Sequence, residues 1–184
     1  MSPTFTSGKL KSMLEPIESI ADNTIDYIAE LAQKKPELDL KNILKGFTLD
    51  SISKVAFGLE TKAYKRESAE FSKMAYSVID DFSTEGWITT IFFNIIALFP
   101  ELTKNMNIWP ESVAKIRQMT QDIMNTRDQR NIKTGDFVDR LREFKKIAQP
   151  PITESQIEAQ GIIFLTAGYE TTANTLGKTM YIKC

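Results

Sequence analysis

The strongest constraint on the fold of this chain is a long, largely uncharged segment near its carboxyl end. Thr153 followed three residues later by Gln156 has the spacing of a capping box, which predicts that a helix begins at Glu154. Residues 159–169 carry no charge, and their apolar side chains are spread around the whole helix circumference. We therefore expect one central helix over residues 153–182 that is buried on every side.

Apolar residues at spacings of three and four predict further amphipathic helices before the central one. These helices cover residues 10–34, 39–58, 67–82 and 111–130, and a short helix after Asp136. Asp39 and Asp136 are the expected N-caps, and Gly58 is expected to end the second helix. Pro16 cannot donate a backbone hydrogen bond, so the first helix either kinks there or begins near Glu15.

Residues 83–110 break this pattern. Bulky apolar side chains are dense between Trp87 and Trp109, and Pro100 and Pro110 interrupt them. We expect an irregular segment with short helices at best, and a plain core segment is the alternative. No alternating strand pattern and no repeat occurs, so the sequence predicts an all-α fold of amphipathic helices around a long central helix, in a single domain over residues 1–184.

Composition narrows the possible chemistry. The formal charge of −1 gives no electrostatic reason to expect nucleic acid as a partner. The chain has no histidine and one cysteine, Cys184, which excludes an internal disulfide, a zinc-type metal site and Ser-His-Asp catalysis. The longest uncharged stretch, residues 86–100, is too short to cross a bilayer as a helix, but it can lie on a membrane surface.

The central helix contains residues that oppose helix stability or burial. Gly161 and Gly168 each cost about 1 kcal/mol relative to alanine in a helix interior. The run Glu170-Thr171-Thr172 places polar groups where burial is costly. Because positions that violate local preferences are often functional, these residues mark a candidate site.

Helical geometry brings part of this cluster together. At about 100° per residue, four positions lie on adjoining faces and leave a side-chain-poor patch that a planar ligand can approach: Ala167, Glu170, Thr171 and Asn174. A purely structural interpretation stays open beside the functional one. In it, Gly168 lets a neighbouring helix pack tightly, while the Thr171 hydroxyl bonds back to the Ala167 carbonyl. Glu170 then faces water or an arginine.

The order of these residues resembles a family motif. The stretch Ala167-Gly168-Tyr169-Glu170-Thr171-Thr172 is similar to the motif Ala/Gly, Gly, any residue, Asp/Glu, Thr, Thr/Ser of the central helix in cytochrome P450 enzymes. Residues 1–11 resemble the segment after the family's haem-facing third helix, and residues 49–58 resemble its fifth helix. The chain is thus similar to the animal microsomal type, from the end of the third helix to the central helix.

This resemblance implies a haem-thiolate monooxygenase that acts on paired donors with O2 and inserts one oxygen atom into an apolar small molecule. The cofactor would be haem, iron protoporphyrin IX. Residues that match Ala167, Gly168 and Thr171 lie against haem in the family. The alcohol that matches Thr171 holds a water near dioxygen, and the acid that matches Glu170 relays protons, so these two residues are the catalytic candidates.

The resemblance also implies partners and a location. Electrons would come from NADPH-cytochrome P450 reductase at the cytoplasmic face of the endoplasmic reticulum membrane. Residues 83–110 correspond to the apolar lid through which substrate enters, and in microsomal members this lid also touches the membrane surface. The substrate itself and the position of its oxidation do not follow from the resemblance.

The chain departs from the family pattern in one respect that limits these expectations. The haem-ligand loop, Phe-x-x-Gly-x-Arg-x-Cys, and the Glu-x-x-Arg of a later helix do not occur in the sequence. Cys184 lacks the glycine and arginine of that loop, so no metal ligand is predicted. We therefore expect an incomplete, poorly soluble fragment without an anchor and without activity of its own; the alternative is a non-enzymatic helical fragment or interaction module without haem.

Overall fold

The structure, a computed structural model, describes residues 6–65, 70–82 and 111–183, together with Ile96 and Leu98. Within these residues it contains no strand, and its regular structure consists of six helices and one 3-10 turn, Ala63–Lys65. The helices are α1 (Ser7–Lys34), α2 (Leu40–Phe57), α3 (Glu70–Phe82), α4 (Glu111–Arg130), α5 (Phe137–Ile147) and α6 (Glu154–Lys183). The predicted all-α fold is confirmed. Apart from Ile96 and Leu98, the predicted lid over residues 83–110 lies outside the described residues, as does Cys184.

The predicted helix boundaries are set by side-chain caps. The Asp39 carboxylate accepts the Asn42 N–H at 3.1 Å, and the Asp136 carboxylate accepts the Asp139 N–H at 3.0 Å. At the start of α6, the Thr153 N–H donates to Gln156 Oε1 at 2.9 Å, and the Gln156 N–H donates to Thr153 Oγ1 at 3.2 Å. This reciprocal pair is the predicted capping box, so α6 begins where the sequence places it.

The end of α2 was predicted correctly from the sequence, whereas one of the two alternatives for the start of α1 was not. Gly58 ends α2 in the left-handed conformation, with φ 66°, as expected for a glycine after the last helical residue. In contrast, the sequence left two alternatives at Pro16, and the one in which the helix begins near Glu15 is wrong, because α1 runs from Ser7 through Pro16 to Lys34. A proline removes only one hydrogen bond from the helix, and α1 packs along α2, which helps to hold the helix together on both sides of Pro16.

The core forms where α6 crosses the other helices. Leu165 and Tyr169 of α6 are fully buried, and α2 contributes the fully buried Leu49 and Phe57. α6 also contacts α3, α4 and α5, so it does cross the middle of the fold as predicted. The expectation that it is buried on every side is wrong, because Ile163 and the residues that follow it at helical spacing are exposed.

Buried hydrogen bonds and ion pairs hold the corner between α4 and α5 against the end of α2. Arg127 of α4 is 6% exposed, and its Nη2 donates to the Phe57 carbonyl at 2.7 Å and to Asp136 Oδ2 at 2.6 Å. Its Nη1 reaches Asp139 Oδ1 at 3.0 Å. Burial opposes ionisation of Asp139, but backbone N–H groups and Arg127 outweigh it and hold its pKa below the ordinary value. The α4–α5 corner is therefore fixed to the end of α2.

The contact between α2 and the 3-10 turn yields a stability prediction. A Cβ on Gly46 of α2 would collide with the Tyr64 backbone and would lie 2.6 Å from the carbonyl oxygen of Ala63. Backbone atoms cannot move aside cheaply, so Gly46→Ala should lower the free energy of unfolding by about 3 kcal/mol. Gly177→Ala is the control, because its Cβ would meet only Leu44 Cδ1 at 3.9 Å, and it should raise stability by up to about 1 kcal/mol. Chemical denaturation followed by circular dichroism measures both; equal effects would contradict the account.

Candidate functional site

The site predicted from the sequence lies on an open face of α6. Ile163, Ala167, Thr171 and Asn174 follow one another at spacings of three and four residues, and all are exposed. Ile163 is 51% exposed, although isoleucine is a residue that proteins usually bury. Ala167 and Thr171 lie one turn apart, so the middle of the face carries only small side chains. We call these four residues the open face of α6.

Thr171 makes the bond that the structural interpretation predicts. Its hydroxyl donates to the Ala167 carbonyl at 2.5 Å. Thr166, Thr175 and Thr179 of the same helix bond in the same way to carbonyls one turn earlier, so this bond alone does not distinguish Thr171. A hydroxyl that donates its proton still has lone pairs, so Thr171 can accept a hydrogen bond from a water on the open face.

Glu170 lies at the margin of the open face and pairs with a lysine. Lys45 Nζ of α2 is 3.2 Å from Glu170 Oε1, with both side chains partly exposed. The structural interpretation expected water or an arginine as its partner, so the partner's identity differs from the prediction. A partly exposed ion pair of this kind contributes little to stability.

Gly168 lies at the contact between α6 and α2. A Cβ at this position would lie 2.9 Å from Ile52 Cδ1, closer than carbon atoms normally approach. The glycine thus allows the two helices to pack closely. The structure brings Ala167 and Thr171 together on the open face, whereas Gly168 faces Ile52; its contact with haem stays a prediction.

An apolar cavity lies beside the open face. It has a volume of ≈ 520 Å³, and α1, α2 and α6 line it mainly with apolar side chains. Its lining includes Met13 of α1, Ile52 of α2 and, on α6, Ala167, Gly168 and Thr172. A porphyrin ring is planar and largely apolar, so a face of small side chains next to an apolar cavity fits its shape and polarity. The predicted haem contacts Ala167 and Gly168 both line this cavity, and Thr171 lies one turn after Ala167 on the open face.

A second polar cluster was not predicted from the sequence. Glu158 near the start of α6 is 1% exposed, and its carboxylate accepts Arg117 Nε at 2.9 Å and Gln121 Nε2 at 2.5 Å. Both partners come from α4, about forty positions earlier in the chain. The one sequence signal is an acid just before the uncharged run of α6, which implies a partner but does not say which residue supplies it.

The described residues contain no cluster of three or more histidine, cysteine, aspartate or glutamate side chains that could hold a metal ion. In the same part of the chain, no helix combines the length and the apolar character that a membrane crossing requires. Cys184 and the predicted lid, apart from Ile96 and Leu98, lie outside these residues.

Comparison with known proteins identifies the class to which this helical fold and its α6 motif belong. The model of the cytochrome P450 family matches residues 1–182, so the chain belongs to the cytochrome P450 family. The matched range includes the motif around Ala167 and Thr171 and almost the whole of α6.

Individual relatives come from insects and mammals. The chain is 29% identical to the probable cytochrome P450 6a21 of Drosophila melanogaster and 28% identical to cytochrome P450 6A1 of Musca domestica. It is also 29% identical to cytochrome P450 3A11 of Mus musculus. Each match covers 98% of this chain, and the chain spans 36–37% of the length of these curated relatives.

The packing role of Gly168 predicts a difference between two glycines of α6. A Cβ on Gly161 would meet Phe57 Cε1 at an ordinary 3.5 Å, so Gly161→Ala should raise the free energy of unfolding by up to about 1 kcal/mol. Gly168→Ala should be at least about 1 kcal/mol less stable than Gly161→Ala, because Ile52 must shift. Urea denaturation measures both variants.

A third substitution tests whether the contact with Ile52 causes this difference in stability. Ile52→Val removes Cδ1, so it should cost less stability in the Gly168→Ala background than in the unaltered chain. If Gly168→Ala stabilises the chain as much as Gly161→Ala does, Gly168 is not a packing residue.

Proposed function

We propose that α6 supplies the oxygen-side wall of a haem site in a monooxygenase that inserts one atom of O2 into an apolar small molecule. The observation that carries this proposal is the open face of α6, where Ala167 and Thr171 present small side chains beside an apolar cavity. Membership of the cytochrome P450 family supports the reaction class. Haem, when bound, supplies the redox chemistry that activates dioxygen.

The residues of this chain have separate tasks in that site. Ala167 keeps the helix face flat, so a planar ring can approach the backbone closely. Thr171 accepts a hydrogen bond from a water on the open face while its own hydroxyl group donates to the Ala167 carbonyl. Glu170, whose ion pair with Lys45 is partly exposed, takes up a proton from solvent and passes it toward that water.

The proposed surroundings of the enzyme follow from its family. Electrons reach the site from NADPH-cytochrome P450 reductase, and the reaction is that of an oxidoreductase acting on paired donors with O2. The protein works at the cytoplasmic face of the endoplasmic reticulum membrane, where residues 83–110 form the apolar lid. This chain by itself is inactive, because its sequence lacks the haem-ligand loop.

A second candidate function is a helical fragment or interaction module without haem. Each unusual residue of α6 has a structural partner: Gly168 packs on Ile52, Thr171 bonds to the Ala167 carbonyl, and Glu170 pairs with Lys45. Under this alternative, substitutions on the open face change stability but no catalytic property. The two candidates therefore differ in what Thr171 does.

The isolated chain should not form a haem-thiolate complex. Its sequence contains no cysteine loop of the family type, so haemin added to the pure 184-residue chain should give no red-shifted Soret band after reduction under carbon monoxide. Optical spectroscopy measures this result. A red-shifted thiolate band in the wild-type chain that disappears in Cys184→Ser would show that Cys184 is an iron ligand and would contradict the assignment.

The role of Thr171 can be tested in a chimera. In this chimera, residues 1–182 replace the matching segment of the full-length Musca domestica relative. Thr171→Ala should lower the yield of oxidised product per NADPH consumed by about tenfold, since proton delivery loses its positioned water. The product yield and the NADPH consumption are measured together with any substrate that the chimera oxidises.

Thr175→Ala is the matched control for this variant. Thr175 is also exposed, and its hydroxyl also bonds to a carbonyl one turn earlier, at 2.8 Å, but it lies a turn beyond Thr171. Its substitution should leave the product yield unchanged. Equal yields for the two variants would overturn the proton-delivery role and favour the second candidate function.

A further inference from the structure

A second cavity lies between α1, α2 and the connection from α2 to α3. It has a volume of ≈ 270 Å³, and its lining includes Ile20 of α1, Asp50 and Lys54 of α2, and Leu59, Glu60 and Lys62 of the connection. In the part of the chain that the structure describes, it shares no lining residue with the cavity beside the open face and takes none from α6. We call it the polar cavity.

Asp50 brings a buried negative charge to this cavity. It is 4% exposed, and its carboxylate accepts hydrogen bonds from the Thr61 hydroxyl, the Ala63 N–H at 2.7 Å and the Tyr64 N–H at 3.0 Å. No lysine or arginine among the described residues forms an ion pair with it. Burial raises the pKa of Asp50, because these three donors offset the loss of water only in part. The carboxylate is therefore hydrogen-bonded, but its charge is not neutralised.

The two lysines of the cavity do not neutralise Asp50. Lys54 lies one helical turn after Asp50, but its Nζ pairs with Glu60 Oε1 at 2.6 Å. This hydrogen bond and the charge of Lys54 lower the pKa of Glu60, and the charge of Lys62 adds to the effect. Lys62 itself is exposed and forms no ion pair with another described residue. Within the described chain, the cavity thus keeps one unpaired negative charge at its buried end and one unpaired positive charge at its mouth.

The complement of these two charges is a zwitterion. Asp50 is already desolvated in the free protein, so an ammonium that reaches it gains attraction while only the ligand loses water. A carboxylate can pair with Lys62, where water screens the interaction. Ile20 and Leu59 add apolar surface to the lining. The volume has room for about nine water-sized groups at about 30 Å³ each, which suits an amino acid of the size of leucine.

We propose that the polar cavity binds a small zwitterionic amino acid with an apolar side chain. The ammonium of the ligand pairs with Asp50, and its carboxylate pairs with Lys62. Its side chain packs on Ile20 and Leu59. This site is distinct from the proposed haem site, which lies on α6.

Three probes with the same branched alkyl group separate the contributions of the two charges. Leucine carries both charged groups, isocaproate lacks the ammonium, and isopentylamine lacks the carboxylate. Isocaproate should bind at least about tenfold more weakly than leucine, because it loses the pair with the buried Asp50 and brings a like charge toward it. Isopentylamine should bind up to about fivefold more weakly than leucine, because it loses only the exposed pair with Lys62.

Two-dimensional NMR of isoleucine methyl groups measures the three affinities on the 184-residue chain without haem. Ile20 lines the polar cavity and should shift with each probe that binds, in a saturable way below about 10 mM leucine. Ile25 of the same helix is 62% exposed and is the reference that should not shift. The same titration in the chimera, which contains the whole polar cavity, covers a chain that is too insoluble for NMR alone.

Two substitutions assign the two ends of the ligand. Lys62→Gln, an exposed change that keeps the fold, should weaken leucine up to about fivefold and leave isopentylamine unchanged. Asp50→Asn keeps an acceptor oxygen but removes the charge, so it should weaken leucine at least about tenfold. Circular dichroism shows whether this buried variant keeps its helices. Lys11→Gln, an exposed change on α1 outside the cavity, is the control and should bind every probe as the unaltered chain does.

The proposal is overturned if isocaproate binds as tightly as leucine, if Ile20 does not respond to leucine, or if Lys62→Gln weakens isopentylamine as much as leucine. A folded Asp50→Asn variant that binds leucine like the unaltered chain would overturn it as well. If Asp50→Asn does not fold, the comparison of the three probes and Lys62→Gln still decide the outcome. The measurement uses no haem, so its result is independent of the Thr171 experiment.

Discussion

The packing of α2 against α6 is the interaction on which the rest of the structure depends. Gly168 of α6 faces Ile52 of α2, and the absence of its side chain lets the helices approach closely, while Gly161 lies against Phe57 of α2. Tyr169 is buried in the same core. Because the 3-10 turn and the α4–α5 corner are both fastened to α2, this contact also determines where the other elements lie relative to α6.

Close packing on one side of α6 determines which side chains are exposed on its other side. With α2 occupying one side, Ala167 and Thr171 face outward and lie beside the apolar cavity. In the described part of the chain, two acids of α6 that flank this region are paired: Glu170 with Lys45 and Glu158 with Arg117. The helix therefore offers a flat apolar strip with a carboxylate at its margin, and the proposed monooxygenase function rests on this arrangement.

Local features of the fold could be predicted from the sequence, because they depend on residues close together in the chain. The capping box at Thr153 and Gln156 and the glycine at Gly58 each act within one helical turn. The sequence left the start of α1 undecided at Pro16, because a proline's local cost does not include the packing of α1 on α2. Burial of α6 was overestimated, since an uncharged run does not show which face lacks a neighbour.

The candidate site was predicted only in part, because some of its contacts join residues that are far apart in the chain. Helical periodicity predicts that Ala167 and Thr171 share one face of α6, and the structure places both on that face. The partner of Glu170, Lys45, is 125 positions away, so no local pattern identifies it. The packing of Gly168 on Ile52 likewise depends on the crossing of two helices that the sequence does not specify.

The central claim is that haem lies against the Ala167 side of α6. The measurement that tests it most directly is NMR of alanine methyl groups in the haem-loaded chimera, where ferric iron shifts and broadens the signals of nearby nuclei. Ala167 is exposed on the open face, whereas Ala173 is 3% exposed and lies on the packed side of the same helix. The account predicts a large paramagnetic shift for Ala167 and a much smaller one for Ala173. An unshifted Ala167 methyl group, or a larger shift at Ala173, would contradict it.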